Sequence, residues 1–303
     1  MINEYALEPE MVATWGDLHN YRFFFRQFGS GQGRLVSRYP KTWAKKVWQS
    51  FNGTSVMEKK RLEELLTRFQ ETMIKRKNCP WDDTQATWVG NALVEHARHP
   101  FKAIMTRANL ENRPEILEES AFSVSPCPRW DNPHGMTVSR KAPEMAAAVR
   151  TMLCCCRWIK FIDPYFSKGK SPHKQSLSAF LRILGSDRPV GSIERVEVHS
   201  SANGATEDFL KEFYKEIVPL GLTVVFFQWQ ERPRGQALHN RYILTDLAGV
   251  SFNHGLDTGR DGETDDVNLL DSGQYQLRCR EYDPVAPAFD LAASPFEIIG
   301  TRR

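Results

Sequence analysis

The chain has 303 residues, 41% hydrophobic and 25% charged, with a net charge of +3. That balance excludes a disordered chain, and the length suits one large domain or two ordinary ones. No apolar run approaches the roughly 20 residues of a bilayer span, and Met1-Ile2-Asn3-Glu4-Tyr5 lacks the basic start and apolar core of a signal peptide, so a cytoplasmic protein is expected.

The charge is unevenly spread. Between Arg22 and Lys77 there are 14 Lys/Arg against four acids, whereas Asp257 to Asp290 holds nine acids against Arg260, Arg278 and Arg280. The basic part begins with the aromatic stretch Tyr21 to Phe28, and Gly29-Ser30-Gly31-Gln32-Gly33 then reads as a turn. Cations with interleaved aromatics are the ingredients of a nucleic-acid surface, which makes Arg22, Arg26, Arg34, Arg38, Lys41, Lys45 and Lys46 candidate contacts for nucleic acid or another polyanion. The same composition also arises where aromatics form a core and basic residues flank it.

Met57 to Lys75 places Leu62, Leu65, Leu66, Phe69 and Met73 on one face at helical spacing. A second helix is expected from Thr84 to Ala97, with Asp82 or Asp83 at its start. His96 and His99 are read as structural. Residues 1–120 thus read as a mainly helical domain, and Pro126 to Pro133 reads as a linker or irregular entry segment.

From there helices and strands alternate. A helix from Ala142 to Cys155 leads into the strand Trp158 to Ile162. The helix Ser176 to Leu184, the strand Arg195 to His199, the helix Thr206 to Ile217 capped by Thr206, and the strand Leu222 to Phe227 follow. Two short strands, Tyr242 to Thr245 and Gly249 to Phe252, flank Asp246. Such alternation is α/β organisation, with sites expected at the carboxyl ends of strands, where Asp163 and His199 fall. The adjacent Cys154, Cys155 and Cys156 read as small fillers of a buried helix rather than metal ligands. The acidic loop Asp257 to Asp266 lacks the ligand periodicity of a calcium loop and reads as a solvated loop. No metal or cofactor is implied.

The most telling run is His239-Asn240-Arg241, with Asp246 five residues further on. A histidine can attack or protonate, a fixed cation can hold phosphate oxygens and a carboxylate can orient an imidazole. His239-x-Arg241-x4-Asp246 resembles the HxKx4D signature of the phospholipase D superfamily. Taken with Asp163-Pro164-Tyr165 and Gly255-Leu256-Asp257, it is similar to the phospholipase D-like domain at the C-terminus of MIT-domain proteins. The resemblance covers about residues 130–303. It implies an α/β phospholipase D-like sandwich, a mixed sheet flanked by helices, over 121–303. It further implies a metal-independent two-step phosphoryl transfer in which two such histidines act together. One motif per chain then requires a homodimer, with His239 as nucleophile or acid, Arg241 clamping phosphate and Asp246 orienting. Arg241 stands where the enzymes carry lysine, and Asn253-His254-Gly255-Leu256-Asp257 replaces their downstream Gly-Ser-x-Asn. The MIT-type relatives share the arginine and are regarded as non-hydrolytic phosphoinositide binders. Asp163, Tyr165, His199, Asn253, His254 and Asp257 are the further candidate ligand-binding residues.

Two functions are therefore expected from these residues. One is a phosphodiesterase, a nuclease in the first instance, with a role in bacterial defence or mobile-element biology by analogy alone. The other is a non-catalytic module gripping a phosphorylated ligand, nucleic acid or lipid headgroup, within an intracellular assembly.

Overall fold

The structure, a computed structural model, describes residues 1–301 other than 78, 86, 124, 125 and 203, with backbone alone at 122 and 123. Ala86, within the helix expected from Thr84 to Ala97, lies outside the described residues. The chain divides into two units. The first is Ile2–Pro133 with Arg188–Gly191; the second is Met1, His134–Asp187 and Ser192–Arg303.

The first unit runs β1 (Asn3–Leu7), α1 (Pro9–Val12), α2 (Leu18–Gln27), β2 (Arg34–Val36), α3 (Trp43–Ser50), α4 (Val56–Thr72), α5 (Trp88–Arg98), β3 (Ala103–Thr106) and β4 (Ile116–Glu118). Helices α4 and α5 overlap the two expected helices, but the unit also contains a parallel sheet of order β2-β1-β3-β4. These strands are three to five residues long and mostly buried on both faces. They therefore show no polar–apolar alternation and offer too short a window for a period to appear.

Helix α4 buries Leu62, Leu65, Leu66 and Phe69, each contributing about 1.5–3 kcal/mol of apolar transfer. Helix α5 starts at Trp88 rather than Thr84, because the Thr87 side chain accepts the Gly90 N–H at 3.1 Å as its cap. Asp82, expected at that start, instead accepts from the Thr84 N–H and hydroxyl. The Pro126–Pro133 segment is no free linker. Trp130 is buried in the first core, and its carbonyl accepts two bonds from the Arg34 guanidinium. The first unit therefore extends past the expected boundary at 120 to Pro133.

Beneath this sheet lies a buried charge network. Arg76 donates Nε and Nη2 to the two oxygens of Glu4 at 2.8 and 2.7 Å, and Nη1 to Glu95 at 2.6 Å and the His99 carbonyl at 3.0 Å. Its guanidinium lies 3.9 Å from the Phe101 ring centroid. Glu4 belongs to β1 and Glu95 to α5, so one cation fastens strand to helix.

The second unit runs β5 (Gly135–Ser139), α6 (Ala142–Ala148), α7 (Arg150–Cys155), β6 (Trp158–Ile162), α8 (Ser171–Leu184), β7 (Arg195–Ser201), α9 (Glu207–Tyr214), β8 (Thr223–Gln230), β9 (Tyr242–Thr245), β10 (Gly249–Phe252), β11 (Thr264–Leu269), α10 (Ser272–Glu281), β12 (Asp290–Leu291) and β13 (Phe296–Ile299). The strands form one mixed sheet of order β12-β8-β7-β6-β9-β10-β11-β5, with β13 also on β8. Parallel β6, β7 and β8 form its centre, and β9 turns antiparallel against β6. Thr206 caps α9 as expected, accepting the Phe209 N–H at 3.3 Å. The expected helix Ala142 to Cys155 is two helices broken at Val149, whose ψ of 14° leaves the helical region. Both units are α/β. No helix among the described residues is long and apolar enough to cross a membrane.

Replacing Arg76 by Met takes from buried Glu4 and Glu95 the cation they share, leaving Glu95 its bond from Arg98 at 3.1 Å, so the first unit should lose about 3–5 kcal/mol. Denaturant unfolding would read this loss, and adding Glu4→Gln and Glu95→Gln should recover part of it. A loss below about 1 kcal/mol would show that the carboxylates are not desolvated.

Candidate functional site

Strand β6 ends at Asp163, whose carboxylate is fully buried. A buried carboxylate needs donors, and here main-chain N–H groups supply them. Oδ1 accepts from Tyr165 N at 2.9 Å and Oδ2 from Leu256 N at 2.8 Å. The residue between β10 and Leu256 that makes this approach possible is Gly255, at φ +154°. A Cβ there would come within 2.6 Å of Asp257 Oδ1 and 3.2 Å of Asp163 Oδ2. Asp265 grips the same loop from the other side, accepting from Asn253 N and His254 N at 3.0 Å and Gly255 N at 3.4 Å. The expectation of a solvated acidic loop fails here: Asp265 lies in β11 and its side chain is 1% exposed. His173, on the first turn of α8, lies buried with Nε2 3.6 Å from Asp163 Oδ1 and no hydrogen bond at either ring nitrogen.

Antiparallel pairing of Ile162 with Tyr242 brings the residue before β9 to this same edge. That residue is Arg241. Its carbonyl accepts from Phe252 N at 3.1 Å, and its guanidinium carbon lies 5.5 Å from the Tyr165 ring centroid. Nε is buried without a hydrogen-bond partner. Among the described residues no carboxylate or carbonyl accepts from this side chain.

His239 stands two residues earlier, exposed and without a side-chain partner among the described residues. Asn253 and His254 are exposed, and His254 Nδ1 lies 3.4 Å from Asp265. Asp257 is held by Arg140 at 2.7 Å, which limits it as a ligand contact.

Three expectations do not survive. Asp246 does not orient His239. It follows β9 whereas His239 precedes it, and four strand residues at roughly 3.3 Å each separate the two ends by about 13 Å. Its carboxylate instead receives Arg157 N at 2.7 Å and Nε at 2.9 Å, closing the β9–β10 turn onto the start of β6. His199 is no pocket wall. It lies inside β7, fully buried and stacked on Phe227 and Trp229. Trp229 Nε1, which can only donate, gives its hydrogen to Nδ1 at 3.0 Å, so the ring proton sits on Nε2 and goes to Glu197 at 2.9 Å. Asp163, finally, is a scaffold group, because both its oxygens are taken by the chain.

The basic candidates of the first unit divide. Arg22, Arg26, Lys41 and Lys45 are exposed, and Lys46 is half-buried over Trp81 at 4.7 Å. Arg34 is buried against Trp130, and Arg38 is half-buried. The interleaved aromatics belong to the cores: Phe24 and Trp43 are buried members of one, and Tyr39 of another. They are not free to stack bases.

Sequence reasoning passed over Lys168, Asp265 and Glu197. Only Lys168 left a signal, three residues beyond Tyr165. Among the described residues no group of three or more His, Cys, Asp or Glu side chains is arranged to hold a metal ion. No protein-family model, no curated protein and no solved structure matches the chain.

The His199 arrangement sets a pH dependence. Burial pushes its imidazole down to about 4, against the pull of Glu197. Burial also opposes ionisation of Glu197, yet the hydrogen bond from His199 and the nearby Lys160 and Arg195 hold that carboxyl below its usual range. An unfolded histidine takes up its proton near pH 6.5. The stability from neutral His199 is therefore complete above that pH and is lost as pH falls from about 6.5 to 4, by on the order of 3 kcal/mol. Denaturant unfolding across this window should show the loss in the parent chain and a smaller one in His199→Gln. Equal slopes would refute the assignment.

Proposed function

We propose that the second unit recognises a phosphate group of a phosphorylated ligand, with Arg241 as the principal contact. The observation that carries this reading is the unpartnered guanidinium, whose Nε is buried at the carboxyl end of β6. A buried donor without an acceptor costs free energy, and a bound anion removes that cost. The planar fork of arginine matches two phosphate oxygens at once. The acids that frame this edge are committed elsewhere: Asp163 and Asp265 to main-chain N–H groups, Asp257 to Arg140. The resemblance to phospholipase D-like domains supports the same ligand chemistry.

A second reading, metal-independent phosphodiester cleavage, is favoured by one observation: His239 is exposed beside Arg241 and unpaired. Superfamily-type transfer needs a second histidine, which a second copy of the chain would bring. Neither Asp246 nor another carboxylate among the described residues orients His239, so binding is the better-supported function.

Calorimetric titration with inorganic phosphate should show binding that Arg241→Ala weakens roughly 10- to 100-fold, the value of hydrogen bonds to a charged group. His239→Ala should leave that affinity within about threefold if the histidine is not a phosphate ligand. Unchanged affinity in Arg241→Ala would overturn the proposal. Metal-free turnover of bis(p-nitrophenyl) phosphate that His239→Ala abolishes would move the conclusion to the enzyme.

A further inference from the structure

The Tyr165 ring carries a second cation. Lys168 Nζ lies 4.2 Å from its centroid, beside Arg241 Cζ at 5.5 Å from the same point. The two positive centres are therefore at most about 10 Å apart. They reach the ring from different places in the chain. Arg241 comes from the edge of β9, and Lys168 from a single 3-10 turn, Phe166–Lys168, that follows β6.

That turn is built rather than loose. Lys168 N donates to Tyr165 O at 3.0 Å and Gly169 N to Phe166 O at 3.2 Å, and Gly169 ends the turn at φ +57°. Buried Ser167 pins it to β7, its N–H donating to Ser200 Oγ at 2.8 Å. Lys168 itself is exposed and has no carboxylate partner among the described residues. Two unpaired cations held on one ring repel each other, and a ligand bearing two negative groups relieves both.

We propose that Lys168 is a second phosphate contact, so that the ligand of this edge carries two phosphate groups within about 10 Å of each other. The inference rests on the phosphate reading of Arg241. Such a pair occurs in a diphosphate ester and in successive phosphates of a nucleic-acid strand. With Lys168 seated on the Tyr165 ring, recognition is of phosphates and not of a stacked base.

Calorimetric titrations with inorganic phosphate, pyrophosphate and thymidine 3′,5′-bisphosphate test this. The parent chain should bind pyrophosphate or the bisphosphate at least about tenfold tighter than phosphate, one contact more being gained. The tighter of the two identifies the source, pyrophosphate a diphosphate ester and the bisphosphate a strand. Lys168→Gln should reduce the preference below about threefold and leave phosphate affinity unchanged, whereas Lys170→Gln, removing a neighbouring exposed lysine, should leave the preference intact. Equal affinity of the parent for all three probes, or a preference that survives Lys168→Gln, overturns the second contact while leaving Arg241 as a phosphate site. Absence of binding to every probe overturns both.

Discussion

The candidate site depends on one buried carboxylate. Asp163 takes the N–H of Tyr165, in its own chain segment, and that of Leu256, from the loop after β10. Those two bonds hold the end of β6 against that loop, and they fix the ring on which Arg241 lies. Asp265 repeats the device from β11, so three consecutive N–H groups of the loop meet one carboxylate. Burying two acids is costly unless their charge is met by donors. Here the backbone meets it. The geometry tolerates no side chain at Gly255, which must pass close to both Asp163 and Asp257.

Because the acids are spent on scaffolding, the edge is left with cations. Arg157 answers Asp246 and Arg140 answers Asp257 and Glu263, but Arg241 and Lys168 answer no carboxylate among the described residues. Their common neighbour is an aromatic ring, whose attraction to a cation is modest at an exposed site, about 0.5–1 kcal/mol. That suffices to place the side chains without neutralising them. A positive potential is thereby kept where an anion can reach it.

Parts of this were legible in the sequence. Strands β6, β9 and β10 could be bounded almost to the residue, because each is a short apolar run ended by Asp163-Pro164, Asp246 or Asn253. The three motifs also point to one sheet edge, and antiparallel pairing of β6 with β9 brings Asp163 and Arg241 to it. What spacing hides is direction. His239, Arg241 and Asp246 look like one constellation, yet a strand runs between the first two and the third, and extended chain separates rather than gathers them. His199 misleads for a related reason: β7 continues two residues beyond it, so it is interior to the sheet. In the first unit the four parallel strands were too short and too uniformly buried to show a period. The aromatic–basic alternation there was ambiguous because helix amphipathicity and a nucleic-acid surface share a composition, and the core took the aromatics.

The most direct test of a phosphate-recognising edge is the side-chain Nε–H signal of Arg241, followed by 1H–15N correlation NMR during titration with methyl phosphate and identified by its loss in Arg241→Lys. If the buried, unpartnered donor is the phosphate contact, this signal moves downfield with saturation as the anion binds. A signal that stays in place while methyl phosphate binds elsewhere, or does not bind, would contradict the assignment of Arg241 and with it the function proposed for the second unit.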